Sequence, residues 1–170
     1  MIIPNSTANL NPAKKARLQS LMSAELKFQI PIDRATFGLP VDLGNGETFV
    51  TMRTDPSFDE RFSRPDMGIT YTRLDLQTYL TAHGVMVALT TLPISTSTVV
   101  EMINAQVPIP LDASDYLNVV LEDPTMLTIP LQSAPESLLF VGNAEIALSV
   151  SIQKPLLMAT SVGTFPLYTP

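Results

Sequence analysis

Tyr71, Arg73, Asp75, Tyr79 and His83 fall within one stretch, Gly68 to Gly84, reading GITYTRLDLQTYLTAHG. A carboxylate, a guanidinium, two phenols and an imidazole in one segment could serve acid–base chemistry. His83 is the only histidine of the chain, and there is no cysteine. A nucleophile or metal ligand would therefore have to come from elsewhere in the fold, and no Ser-His-Asp or Cys-His set is visible. Zinc has too few of its usual ligands here.

The elements that must carry these residues explain them without chemistry. Ile69, Tyr71 and Arg73 share one face of a strand, and Thr70, Thr72 and Leu74 share the other. Asp75 stands where a helix N-cap belongs, and its charge suits the positive end of the helix dipole. Leu74 and Tyr79 are spaced as a hydrophobic staple. Leu76, Tyr79, Leu80 and His83 repeat as the core-facing stripe of an amphipathic helix. Gly84 then ends that helix, with the imidazole near its negative end. Arg73, on the strand face, is the residue of this stretch to watch for contact with a neighbouring subunit.

A second chemical candidate is the loop over residues 54–67, with Asp55, Asp59, Glu60 and Asp66. Oxygen-rich loops can hold Ca²⁺, and carboxylate pairs could serve a small hydrolase. The spacing is not that of an EF-hand, and Arg53, Arg61 and Arg64 compete for the same carboxylates. A salt-bridged or solvated loop is the simpler reading. The glycines of Gly44-Asn45-Gly46 and Gly142-Asn143 fit hairpin turns, because neither phosphate-binding glycine pattern is present. Lys14, Lys15 and Arg17 could touch nucleic acid or an acidic partner, but three charges on one helix ordinarily form its solvated face. No cofactor is expected.

The 170 residues fit one domain. Only 15% are charged against 45% hydrophobic, whereas globular chains usually carry roughly 25% charge. A surface rich in Ser, Thr, Asn and Gln suits a chain packed against neighbours. Nine basic and eight acidic residues share positions 1–73, but from Leu74 to Gln153 there are eight acidic residues and no Lys or Arg. That half repels phosphate, so nucleic acid is not expected as a partner. No apolar run reaches the length of a membrane span. The N-terminus lacks the order of a signal peptide, its charges following the apolar run.

Along the chain, residues 1–11 read as an N-terminal arm and residues 12–153 as one domain. Residues 154–170 read as a C-terminal extended arm. Asn11 and Pro12 open a helix with Leu18, Leu21, Met22 and Leu26 on one face. KFQIPI, residues 27–32, reads as a short strand. A hairpin is expected around Gly44-Asn45-Gly46, and VMVALT, residues 85–90, reads as a buried strand. A second helix in ISTSTVVEMINAQV takes Thr98 and Glu101 as its capping box, and Asp112 could cap one further turn. LNVVLE and TMLTIPLQ read as strands on either side of Asp123-Pro124. The clearest hairpin is SLLFVGNAEIALSVSI, turning at Gly142-Asn143, with Ile146, Leu148, Val150 and Ile152 on one face. The fold class is α+β, a mainly antiparallel sheet of short strands and hairpins with two or three short helices.

The termini are unlike ordinary frayed ends. Ile2, Ile3, Leu156, Leu157, Met158, Phe165, Leu167 and Tyr168 make both arms apolar, so they are expected to lie against a neighbouring subunit, with the protein's own body as the alternative.

Three segments together carry a family resemblance. Tyr71, Arg73, Leu74, Asp75 and Leu76 form a Tyr-x-Arg-Leu-Asp-Leu strand-to-helix junction. Ile103, Asn104 and Ala105, with Leu111, Ala113 and Asp115, form a helix and turn. Leu138, Gly142, Ile146 and Leu148 form a final hairpin of the form Leu-x-x-x-Gly-x-x-x-Ile-x-Leu. Residues 65–152 resemble a domain of virion structural proteins of large tailed bacteriophages. The resemblance implies a non-enzymatic virion subunit, made in the host cytoplasm. Its expected role is head-surface decoration protein or minor capsid protein, with a neck, collar or tail subunit as the alternative. Its partners would be major capsid or neck and tail proteins and copies of itself. A host- or glycan-binding module is a further alternative, although the chain has no Trp.

Overall fold

The computed structural model describes residues 5–6, 10–26, 29–44, 46–54, 66–88, 92–122 and 127–149. The fold is α+β. Its described elements are three short helices and many short, mostly antiparallel strands in several small sheets.

The first half builds around helix α1, Pro12–Leu26. Asn11 caps it, its Oδ1 accepting from the Ala13 N–H at 2.8 Å. Lys14, Leu18 and Met22, four residues apart, form one buried stripe. They face a sheet of β2 (Ala35–Phe37), β3 (Val41–Gly44), β4 (Glu47–Thr54) and β5 (Met67–Thr72). In β4, Thr48, Val50, Met52 and Thr54 point inward, the alternation of a one-sided sheet. The β3–β4 hairpin turns at Gly44 and Gly46, with φ of 82° and 81°, a conformation that favours glycine. The expected strand at 27–32 does not form among its described residues. Ile30 is buried instead, and a 3₁₀ turn follows at Ile32–Arg34, because Pro31 breaks the extended run. Asn5–Ser6, β1, pairs antiparallel with β2 of its own chain, so at this point the N-terminal arm lies on its own sheet.

The second half begins with β6 (Leu74–Asp75), α2 (Leu76–Ala82) and β7 (Met86–Val87). Asp75 caps α2 as expected, accepting from Thr78 N–H at 2.8 Å. Gly84 follows its end at φ 61°. His83, expected on the core stripe, is exposed. Its ring packs on Tyr79 at 4.7 Å between centroids and its Nδ1 lies 2.8 Å from the Tyr79 carbonyl. The next elements are β8 (Ile94–Ser95), α3 (Thr96–Asn104) and β9 (Val120–Leu121). The α3 cap is Ser95, one turn earlier than the expected Thr98: Ser95 Oγ accepts from Thr98 N–H at 3.3 Å. Burial of Thr96 inside the first turn starts the helix there.

The last strands are β10 (Thr128–Gln132), β11 (Phe140–Val141) and β12 (Asn143–Leu148). The expected hairpin at Gly142-Asn143 is corrected here. β11 pairs in parallel with β6, whereas β12 pairs antiparallel with β10 and in parallel with β7. Gly142, at φ 89°, is a corner where the chain changes sheets. A Cβ on it would lie 2.9 Å from the Asp75 Oδ2. Over Asn143–Ala147 the strand β12 keeps the expected alternation, with Ala144 and Ile146 inward and Asn143, Glu145 and Ala147 outward; Val150 and Ile152 lie outside the described residues.

Gly142→Ala therefore meets both an unfavourable φ and the helix cap. It should lower stability by about 1–3 kcal/mol, read as a shift in urea midpoint with unchanged slope. An unchanged midpoint would mean that the corner relaxes freely.

Candidate functional site

Two hydrophobic cores meet along the segment Ser137–Phe140. Leu138 packs with α1 and the first sheet, whereas Leu139 and Phe140 pack with α2, α3 and β12. The seam between them is polar. Lys14, on the buried stripe of α1, is only 1% exposed. Its Nζ donates to Asp112 Oδ2 at 2.6 Å and to Asp115 Oδ2 at 2.5 Å. Asp115 is fully buried. It accepts also from Asp112 N–H at 2.9 Å and from Ser137 Oγ at 2.7 Å. Ser137 Oγ in turn accepts from Phe140 N–H at 3.0 Å. The turn that presents both carboxylates is held by Asp112 itself, whose Oδ1 accepts from Ser114 N–H at 3.0 Å.

From the other side Arg73, 7% exposed, donates to Thr48 Oγ1 at 2.9 Å and to the Ser137 carbonyl at 3.0 Å. Tyr71 donates to the Leu138 carbonyl at 2.6 Å. Of the Gly68–Gly84 stretch, Arg73 is the residue to watch for contact with a neighbouring subunit. Burial and these bonds instead spend its guanidinium inside its own chain. Burial holds the Tyr71 phenol far above its ordinary range, only partly offset by Arg73. No buried side-chain polar atom among the described residues lacks a partner.

One ammonium serves two carboxylates, so the pair cannot be neutralised equally. Asp115 is the deeper. Burial pushes its carboxyl above the usual range, opposed by Lys14 and aided by the charge of Asp112. At Asp112, burial also works upward, but hydrogen bonds from Lys14 and Ser114 outweigh it and hold the group low. Lys14 departs most from the sequence expectation: it lies in the core and not on a solvated face with Lys15 and Arg17. The available signal was its place four residues before Leu18 and eight before Met22, on the apolar stripe itself.

Away from the seam, Leu117, Val119, Pro130, Leu131, Gln132, Asn143, Ala144 and Glu145 line an open groove of about 360 Å³ across β10 and β12. Leu39, and Val41 and Leu43 of the edge strand β3 that follows it, are a second set of exposed apolar residues, each about half exposed. Among the described residues no His, Cys, Asp or Glu cluster has the grouping of a metal site. Asp66 meets Arg53 at 3.1 Å; Asp55, Asp59 and Glu60 lie outside the described residues. So do Ile2, Ile3, Leu156, Leu157, Met158, Phe165, Leu167 and Tyr168.

Lys14→Met would leave Asp115 buried without its counter-ion. It should cost roughly 3–5 kcal/mol of stability, measured by urea unfolding, and a cost under 1 kcal/mol would contradict the pairing. A pH test isolates Asp115. A raised folded pKa gives stability that is complete below the unfolded pKa and is lost as pH rises through the folded value. The stability difference between the wild type and Asp115→Asn should therefore move in favour of the wild type as pH falls from 7 to about 4. A difference moving the other way would show that the Asp115 pKa is lowered.

No curated protein matches the chain, and no solved structure does. Residues 63–163 match a family of unknown function, DUF7941. The match takes in Arg73, Asp112, Asp115 and Ser137 but neither Lys14 nor Thr48. It spans more than half of the 170 residues, and the chain belongs to this family.

Proposed function

We propose that the chain is a non-enzymatic structural subunit of a tailed-bacteriophage virion, on the head surface as a decoration or minor capsid protein. The observation that carries this reading is the contrast between buried polar side chains that all have partners among the described residues and apolar residues left exposed at the surface. Leu39, Val41, Leu43, Val119 and Val120 are each about half exposed or more, on strands or beside them. An apolar edge strand left open invites pairing with another chain. Single exposed apolar residues are ordinary, but rows of them mark contact surfaces.

The junction Tyr71–Leu76 also favours a framework role. Its polar residues are occupied by a cap and by backbone carbonyls. The resemblance to phage virion proteins across residues 65–152 names the kind of assembly. The all-acidic segment from Leu74 to Gln153 favours a position away from packaged DNA. A neck, collar or tail subunit would show the same surfaces.

Mass spectrometry of gradient-purified particles, with tail-less heads analysed separately, tests the proposal. The expected result is many copies in both fractions. Recovery only in tailed particles would move the subunit to the neck or tail, and absence from mature particles would overturn the virion reading.

A further inference from the structure

We propose that the groove across β10 and β12 receives the segment Lys154–Met158 of a second copy of this chain. The inference rests on the subunit reading above and names one of its contacts.

The groove is a mixed surface. Leu117, Val119 and Pro130 supply apolar walls, Gln132 and Asn143 supply amides, and Glu145 supplies a carboxylate. Leu117 and Val119 are 37% and 48% exposed. β10 and β12 are already paired with each other, so this surface recognises side chains. An occupant should combine apolar groups with one cation and need no deep cavity. Lys154-Pro155-Leu156-Leu157-Met158 has this composition, and Lys154 is the first basic residue after Arg73. Its ammonium matches Glu145, and Leu156 and Met158 match Leu117 and Val119. The charge pair sets register, and the apolar contacts supply most of the affinity.

The place where the described chain ends favours a second copy over the same chain. β12 leaves the body on the β7 side, where Ser149 N–H donates to the Val87 carbonyl at 2.9 Å. The strand order is β10-β12-β7, so the groove extends toward the opposite edge. Only Val150-Ser151-Ile152-Gln153 separate Ser149 from Lys154. Those four residues include no Gly, Pro, Asn or Asp, the types that favour a reversal. Ser149 follows the end of β12 opposite to Asn143–Glu145, the residues that line the groove, so the described chain ends directed away from it.

The absence of native cysteine makes cross-linking clean. Full-length Val119→Cys and Leu156→Cys chains, each confirmed to keep the wild-type urea midpoint, are mixed in equal amounts under mild oxidation. The expected main product is a disulfide between the two different chains. In a second mixture Glu145→Lys is added to the Val119→Cys chain, which should lower that yield by about tenfold. Adding Lys154→Glu to the Leu156→Cys chain should restore it.

Three outcomes would overturn the proposal. These are homodimers of either variant as the main product, no cross-link, or a yield indifferent to the charge reversal. Particle mass spectrometry can still find the protein when the cross-link fails, so this contact and the virion reading fall separately.

Discussion

One ammonium group, Lys14 Nζ, buried between Asp112 and Asp115, sets the terms for the rest of the structure. An ammonium and a carboxylate removed from water each lose several kcal/mol of hydration, and only close pairing with further hydrogen bonds offsets that loss. The partners are arranged accordingly. Asp115 takes bonds from Lys14, Ser137 and the Asp112 N–H, and Asp112 is braced by Ser114. Once Ser137 is fixed by Asp115, its carbonyl is placed for Arg73 and its hydroxyl for the Phe140 N–H. Leu138 then turns into one core while Leu139 and Phe140 turn into the other. The pair is thus a register device between two apolar bodies.

The same logic connects the interior to the surface. The few charges of the chain include several committed to the seam, and uncharged amides carry much of the remaining backbone pairing. Asn104 exchanges two hydrogen bonds of 2.8 Å with Leu111, and Gln106 does the same for Met86 at 3.2 and 2.9 Å. Gln77 accepts from the Glu145 N–H at 2.7 Å. Low charge was expected to mean a surface packed against neighbours. Some of the chain's uncharged polar residues also work internally, because short strands leave backbone groups that side-chain amides satisfy. The exposed apolar residues Leu39, Val41 and Leu43 have no such internal explanation, and the proposed subunit role rests on them.

Local signals were legible in the sequence and long-range pairing was not. Asn11, Asp75 and Gly84 act on neighbours within a few residues, so the first helix, the junction at Tyr71–Leu76 and the Gly44–Gly46 hairpin could be placed. The Ser95 cap was missed because Thr98 and Glu101 offer a second, equally regular box one turn later. The Gly142 corner was read as a hairpin because a glycine between two apolar runs looks the same whether the chain turns back or changes sheets. Lys14 and Asp115 are 101 residues apart, and only the fold brings them together. Arg73 was noticed for its chemistry, but its partners, Thr48 and the Ser137 carbonyl, come from distant segments that no local pattern reveals.

Lys14 and Thr48 lie outside the family match and Asp115 and Ser137 inside it, so the seam ties the amino-terminal helix and sheet to the family region. Native-state hydrogen exchange measures that tie directly. If the buried pair makes the two cores one cooperative unit, the slowest amides of Leu18–Met22 and of Tyr79–Leu80 exchange with the same opening free energy and respond equally to urea. Amides of the first helix opening well below those of the second, with a smaller urea dependence, would contradict it, because the two cores would then unfold separately despite the pair between them.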